Sequence, residues 1–294
     1  MILTTHLFSA FWARKVDSFR QGWYKFSQNS LSLVALVIIV IIVLIAALAP
    51  YITPYPKHAG AFVNLKDRML PPSLTHLFGT DYVGRDIFSR VLFGYRFSLL
   101  LAGVVLGLGV PTGIILGLIA GYYSGTWIDS VIMRITEVFL AVPPLLLALA
   151  VCAVLKPNLF NAMIAVSLTW WPYYCRLMYV RVTSLLNEHF VDAAELIGAS
   201  TMHILLREIF PNCIPIIFTK MTLDTGLVII IGSALSFVGL GVQPPKPGLG
   251  TMIASGADFL PAQWWLCIFP ALAIMLVVLG FNLLGDGLRD LFTA

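Results

Sequence analysis

Charge is what this sequence has least of. Only 11% of its 294 residues are Asp, Glu, Lys or Arg, against about 25% in an ordinary soluble domain, while 59% are apolar. So large an apolar excess has no water-soluble core to fill. The charges are also unevenly spread, leaving runs of roughly 18 residues or more that read as membrane spans. The net charge of +4 is small and sits mostly in loops and termini, which gives no support to nucleic-acid binding. Catalytic and metal signatures are missing as well. Cys152, Cys175, Cys213 and Cys267 are far apart, with no CxxC pair and no companion histidine, and read as small apolar packing residues. His6, His58, His76, His189 and His203 form no cluster in sequence, and no HExxH, GxSxG or GxxxxGK[ST] occurs. No catalysis, metal or cofactor is expected of this chain, and ATP cannot be held by a Walker loop.

What the chain has in abundance is apolar helix. The runs predict an all-α polytopic membrane protein with spans at about 31–49, 97–120, 131–155, 162–180, 214–240 and 265–284, after a segment 1–30 on the cytoplasmic side. Ala47-Leu48-Ala49 imitates a signal-peptide cleavage site. The run before it is longer than a signal peptide's apolar region, and Pro50 would follow the cut, so an uncleaved first helix is expected. Pro111 and Pro143-Pro144 predict kinks in the second and third helices.

Orientation follows from the basic residues of short loops. With both termini inside, the cytoplasmic side receives Arg14, Lys15, Arg20, Lys25, Arg134, Arg176, Arg181, Arg207, Lys220 and Arg289, and the short loops opposite carry only Lys156 and Lys246. The segment from Tyr51 to Arg96 carries six cations, but Asp67, Asp81 and Asp86 accompany them, and a long loop can cross regardless. In the second span Gly109, Gly113, Gly117 and Gly121 recur every fourth residue. They predict one helix face that another backbone can approach closely.

The longest polar stretch on the predicted cytoplasmic side, 181–212, reads as two short helices. The first, Asp192-Ala193-Ala194-Glu195-Leu196-Ile197-Gly198, ends on a glycine able to turn left-handed. The second is expected to stop at Pro211. Here the sequence resembles the permeases of binding-protein-dependent ABC importers, whose cytoplasmic loop carries E-A-A-x-x-x-G and, after nine residues, I-x-L-P. Asp192 replaces the Glu, Gly198 matches, and Ile209-Phe210-Pro211 matches loosely. The resemblance extends to the dipeptide, oligopeptide and nickel branch, most of all its dipeptide-type C subunit. It runs through Gly79-Thr80-Asp81-Tyr82-Val83-Gly84-Arg85-Asp86 with Ser89-Arg90, Pro244-Pro245 to Gly250-Thr251-Met252, and Asn282-Leu283-Leu284-Gly285-Asp286-Gly287-Leu288-Arg289-Asp290.

That resemblance implies the type I importer permease fold, with six transmembrane helices and a cytoplasmic coupling helix. Asp192, Ala193, Ala194, Glu195 and Gly198 would dock on the ATPase. It implies a second homologous permease forming a heterodimer, two cytoplasmic ABC ATPases that bind the ATP and magnesium, a periplasmic solute-binding protein and the inner membrane, with short peptides or a related solute as cargo.

Asp81, Arg85 and Asp86 could ligate calcium, though a solvated loop in which Arg neutralises two carboxylates is the plainer expectation. Gly285-Asp286 lacks the glycine at Leu283 that an intramembrane aspartyl protease needs. Lys220 and Asp224, one turn apart, could pair at depth or snorkel from a helix end. An ion-coupled secondary transporter using Asp224 or Glu137 is the alternative function, although the paired repeats it calls for are not found.

Overall fold

The computed structural model describes residue 24 and residues 26–293, so most of the expected segment 1–30 lies outside the described residues. No strand forms among them beyond an isolated bridge between Thr80 and Asp86.

Helix α1, Ser30–Ile52, opens where the Asn29 side chain accepts the Leu31 N–H and runs on through Pro50. It is apolar all round, and its residues divide by neighbour rather than by polarity. Ser32, Ala35, Ile39, Ile42, Ala46 and Ala49 make a buried stripe at alternating three- and four-residue spacing, as a helix face requires. Leu31, Val34, Val37, Ile41 and Leu48 stay exposed, on the side left for lipid.

Helix α2, Ile87–Tyr122, starts ten residues before the expected span because the Asp86 carboxylate caps it, accepting the Ser89 N–H at 2.7 Å. Its 36 residues reach about 54 Å, well beyond a hydrocarbon core of about 30 Å. Pro111 lies within it.

The expected span 131–155 is not one helix. α3, Trp127–Leu140, and α4, Pro144–Val154, are separated by a short break and lie at 88° to each other. Pro144 occupies the first turn of α4, where its missing N–H costs nothing, and residues before a proline avoid the helical region. The proline pair therefore ends one helix and starts another.

α5 is Leu159–Leu185, capped by Asn158. α6 is His189–Leu196. α7 runs from Thr201 to Phe237 as one 37-residue helix, which corrects the expected stop at Pro211. A π-helical turn, Ile204–Ile209, precedes that proline, and the Phe210 N–H reaches back to Leu205 O. The wider turn makes room for the pyrrolidine ring and needs no N–H from it. α8, Leu249–Ala257, and α9, Trp265–Thr293, complete the chain.

Among the described residues four single helices, α1, α2, α7 and α9, are long and apolar enough to cross a bilayer, and the bent pair α3 with α4 makes a fifth. α5 has the length, at 27 residues, but Arg176, Arg181 and its Trp-Trp-Pro-Tyr-Tyr stretch dilute its apolar character.

The glycine ladder packs α2 against α5. A Cβ on Gly113 would run into Trp171 O and stand 2.6 Å from Tyr174 Cβ; one on Gly117 would lie 2.5 Å from Cys175 O. Gly103 and Gly107, off that face, have nothing within 4 Å. α9 is seated the same way, with Gly285 against Leu223 of α7 and Gly287 against Ser32 of α1. The four cysteines are free and buried.

Residues 53–86 and 241–264 together cap the end of the bundle where α2 begins. The opposite end, where α2 and α5 finish and α7 starts, carries α6; there the Tyr122 and Thr201 hydroxyls lie 3.1 Å apart.

Candidate coupling surface and buried charges

The cap was expected to be solvated at Asp81, Arg85 and Asp86, and it is not: all three are buried. Arg85 Nε donates to Asp81 Oδ2 at 2.7 Å, and Asp81 Oδ1 accepts the backbone N–H groups of Val83 and Arg85. Arg90 donates to His58 O and Pro245 O, tying the start of α2 to both capping segments. The fold also brings together two histidines that the sequence kept apart. His76 Nδ1 lies 2.9 Å from Asp86 Oδ1, while His58 Nδ1 accepts the Asp86 N–H at 2.8 Å. These polar atoms are spent on one another, and no group of three His, Cys, Asp or Glu among the described residues is arranged to hold a metal ion.

Burial holds the His58 pKa below its ordinary 6.5, with nearby Asp86 opposing that shift. A protonated Nδ1 cannot accept the Asp86 N–H. The stabilisation from neutral His58 is thus complete above pH 6.5 and is lost as pH falls through the lower folded value. Amide exchange at Asp86, corrected for its intrinsic pH dependence, is expected to accelerate below pH 6.5 and to show no such step in His58→Phe. A pH-independent rate in the unaltered protein would contradict the assignment.

At the other end, α6 is closed by a hydrogen-bonded left-handed turn. Gly198 has φ +77°; its N–H reaches Glu195 O at 2.9 Å, and the Ala199 N–H reaches Ala194 O at 3.0 Å. Two carbonyls of the helix's last turn, those of Ala194 and Glu195, are satisfied this way, and glycine takes that conformation without strain. Asp192, Ala193, Glu195 and Gly198 are exposed, with His189 Nδ1 3.8 Å from Asp192 Oδ2. Ala194 is not: with Val191 it is buried on the side facing the chain's own bundle, so its small size serves internal packing. Sequence reasoning missed Leu196 and Ile197, which are 89% and 85% exposed at the tip. Two large aliphatics before a turn glycine in a polar segment were the available signal.

Within α7, Lys220 Nζ lies 3.1 Å from Asp224 Oδ1, and Trp170 Nε1 of α5 donates to Asp224 Oδ2 at 3.0 Å. Lys220 also stands over the rings of Tyr173 and Tyr174 at 5.6 and 5.5 Å. Asp224 is 4% exposed and near mid-helix, so its carboxylate is held inside the bundle. Glu137 is paired at the surface with Arg134 at 3.2 Å. Both carboxylates named for an ion-coupled transporter are thus already engaged by cations.

The family model for the inner membrane component of binding-protein-dependent transport systems matches residues 113–294. The chain belongs to that family. A second model, for the N-terminal transmembrane domain of oligopeptide transport permease C, matches residues 18–72 of this inner membrane component. Its relatives include the dipeptide transport system permease protein DppC of Alkalihalophilus pseudofirmus, 42% identical over 94% of this chain and 89% of that protein. The di/tripeptide transport system permease protein of Pseudomonas aeruginosa is 41% identical over 92% of this chain and 90% of that protein. The glutathione transport system permease protein GsiD of Escherichia coli is 42% identical over 91% and 88%. Among solved structures, an inward-facing MetNI methionine ABC transporter matches with TM-score 0.51 at 16% identity, covering 70% of this chain and 93% of that one. That likeness establishes the shared fold of this multi-pass inner-membrane permease.

Proposed function

We propose that this permease forms, with a second homologous permease, the path along which short peptides delivered by a periplasmic binding protein cross the inner membrane. Two separate cytoplasmic ATPases bind ATP and magnesium and hydrolyse the ATP, and this chain supplies no cofactor site of its own. The peptide cargo rests on the names of relatives 41–42% identical over nearly the whole chain. Both termini face the cytoplasm, as does α6.

The observation that carries the mechanism is α6 itself, a glycine-capped helix off one end of the bundle with Leu196 and Ile197 bare at its tip. Two exposed aliphatics beside Asp192 and Glu195 make an apolar anchor with a polar rim, which suits docking in a cleft. A docked α6 can shift the bundle between states only if the ATPases hold it differently in each.

The orientation is tested by a single cysteine at Leu196, in a background lacking the four native ones, with a membrane-impermeant maleimide. Labelling is expected in inverted vesicles and not in right-side-out ones, with protection when the ATPases are present. Labelling confined to right-side-out vesicles would put α6 out of reach of any cytoplasmic motor.

A further inference from the structure

Among the described residues, two arginines of α5 have no ionic partner. Beside the 88° bend between α3 and α4, a recess of about 770 Å³ opens against α5 and α7, and its wall includes Tyr173, Arg176, Arg181, Ser184 and Lys220. Residues 173, 177 and 181 form one stripe of α5 and 176, 180 and 184 the adjacent one, so this wall is a continuous helix face. No carboxylate lines it. Lys220 is neutralised by Asp224, but Arg176 and Arg181 form no ion pair among the described residues. Arg176 also borders a second recess of about 370 Å³ that holds Asp129, Arg134 and Glu137. Those acids are occupied: Glu137 accepts from Arg134, and Asp129 accepts from the Gly125 N–H and the Tyr179 hydroxyl.

Both arginines are exposed and lie in the half of α5 that ends beside α6, and two like charges on one recess wall repel each other until an anion compensates them. A guanidinium's planar fork matches a carboxylate with two parallel hydrogen bonds. We propose that this recess is a carboxylate subsite, in which Arg176 and Arg181 take the terminal carboxylate of a peptide in transit. The inference rests on the peptide reading above. Because the recess is open, the hold is weak enough for release, as exposed ion pairs are.

The test uses the whole transporter with its binding protein, reconstituted in phosphatidylcholine vesicles, with radiolabelled dialanine and trialanine as probes. The double variant Arg176→Gln, Arg181→Gln is expected to lower peptide uptake per ATP hydrolysed by about tenfold, with binding-protein-stimulated hydrolysis changed by less than about twofold. Arg176→Lys with Arg181→Lys should recover only part of the loss, because an ammonium keeps the charge without the two parallel hydrogen bonds. Unaltered uptake by the glutamine variant would overturn the subsite. So would poorer co-purification of the second permease, which would assign the arginines to a partner's acids. Unaltered-transporter uptake that requires added phosphatidylglycerol would assign them to a lipid headgroup, again overturning it. If the unaltered complex accumulates neither peptide while its hydrolysis is stimulated, the peptide reading falls, and the subsite with it.

Discussion

Gly198→Asp is expected to reduce ATP-driven uptake in reconstituted vesicles by more than about tenfold, equivalent to roughly 1.4 kcal/mol or more of lost coupling, while leaving the protein inserted at its normal level. Nothing lies within 4 Å of where a Cβ would project, so no core packing is disturbed. The left-handed backbone at φ +77° adds strain, costing a non-glycine residue about 1–2 kcal/mol. The new carboxylate would also stand beside Asp192 and Glu195, making a third acid on the small surface proposed to dock on the ATPase. Gly198→Asn separates the two effects, because asparagine tolerates the left-handed region and adds no charge. It should retain a substantial part of uptake. Full ATP-driven uptake by the aspartate variant would count decisively against docking through α6.

The second large effect is expected inside the bundle. Gly113→Ala should destabilise the protein by about 1–3 kcal/mol, the usual range for overpacking, and Gly113→Val by more. The added atom meets Trp171 O, and a backbone atom cannot swing aside as a side chain can. α2 and α5 must then separate along a face that also carries Gly109, Gly117 and Gly121. Gly103→Ala and Gly107→Ala supply the comparison. Their surroundings are empty to 4 Å, so each should stay within about 0.5 kcal/mol of the unaltered protein. Thermal unfolding of purified protein in detergent, with the amount accumulated in membranes, measures all four. Equal destabilisation by Gly113→Ala and Gly103→Ala would mean that helix approach is not what the ladder provides.

The features readable in the sequence were those set by period and composition. The apolar run of α1, the fourfold glycine spacing of α2 and the turn glycine at Gly198 each follow from one local rule, and the structure has them in place. Features that depend on tertiary neighbours were not readable. Asp81, Arg85 and Asp86 look like any solvated loop until residues 53–78 fold over them and His58 and His76, ten or more residues away, supply partners. Pro211 should end a helix by local rules, and the π turn at Ile204–Ile209 that absorbs it cannot be seen from spacing. For α6, the motif marks Asp192 to Gly198 as one unit, whereas the fold divides it. Val191 and Ala194 turn inward, and Leu196 and Ile197 are left at the tip. Sequence similarity selected the acid and the alanines, and burial is what points to the aliphatics.

The glycine-lined contact between α2 and α5 has a mechanical consequence. With backbone nearly touching backbone along several turns, there is little compliant side-chain filling between the two rods, and they behave as a single stiff strut. α5 ends at Leu185, with three residues between it and α6, and α2 begins at Ile87, its cap residue Asp86 locked into the far cap through His76 and His58. A push on α6 is therefore carried the length of the molecule before anything yields, and the give must come from the jointed α3–α4 pair alongside.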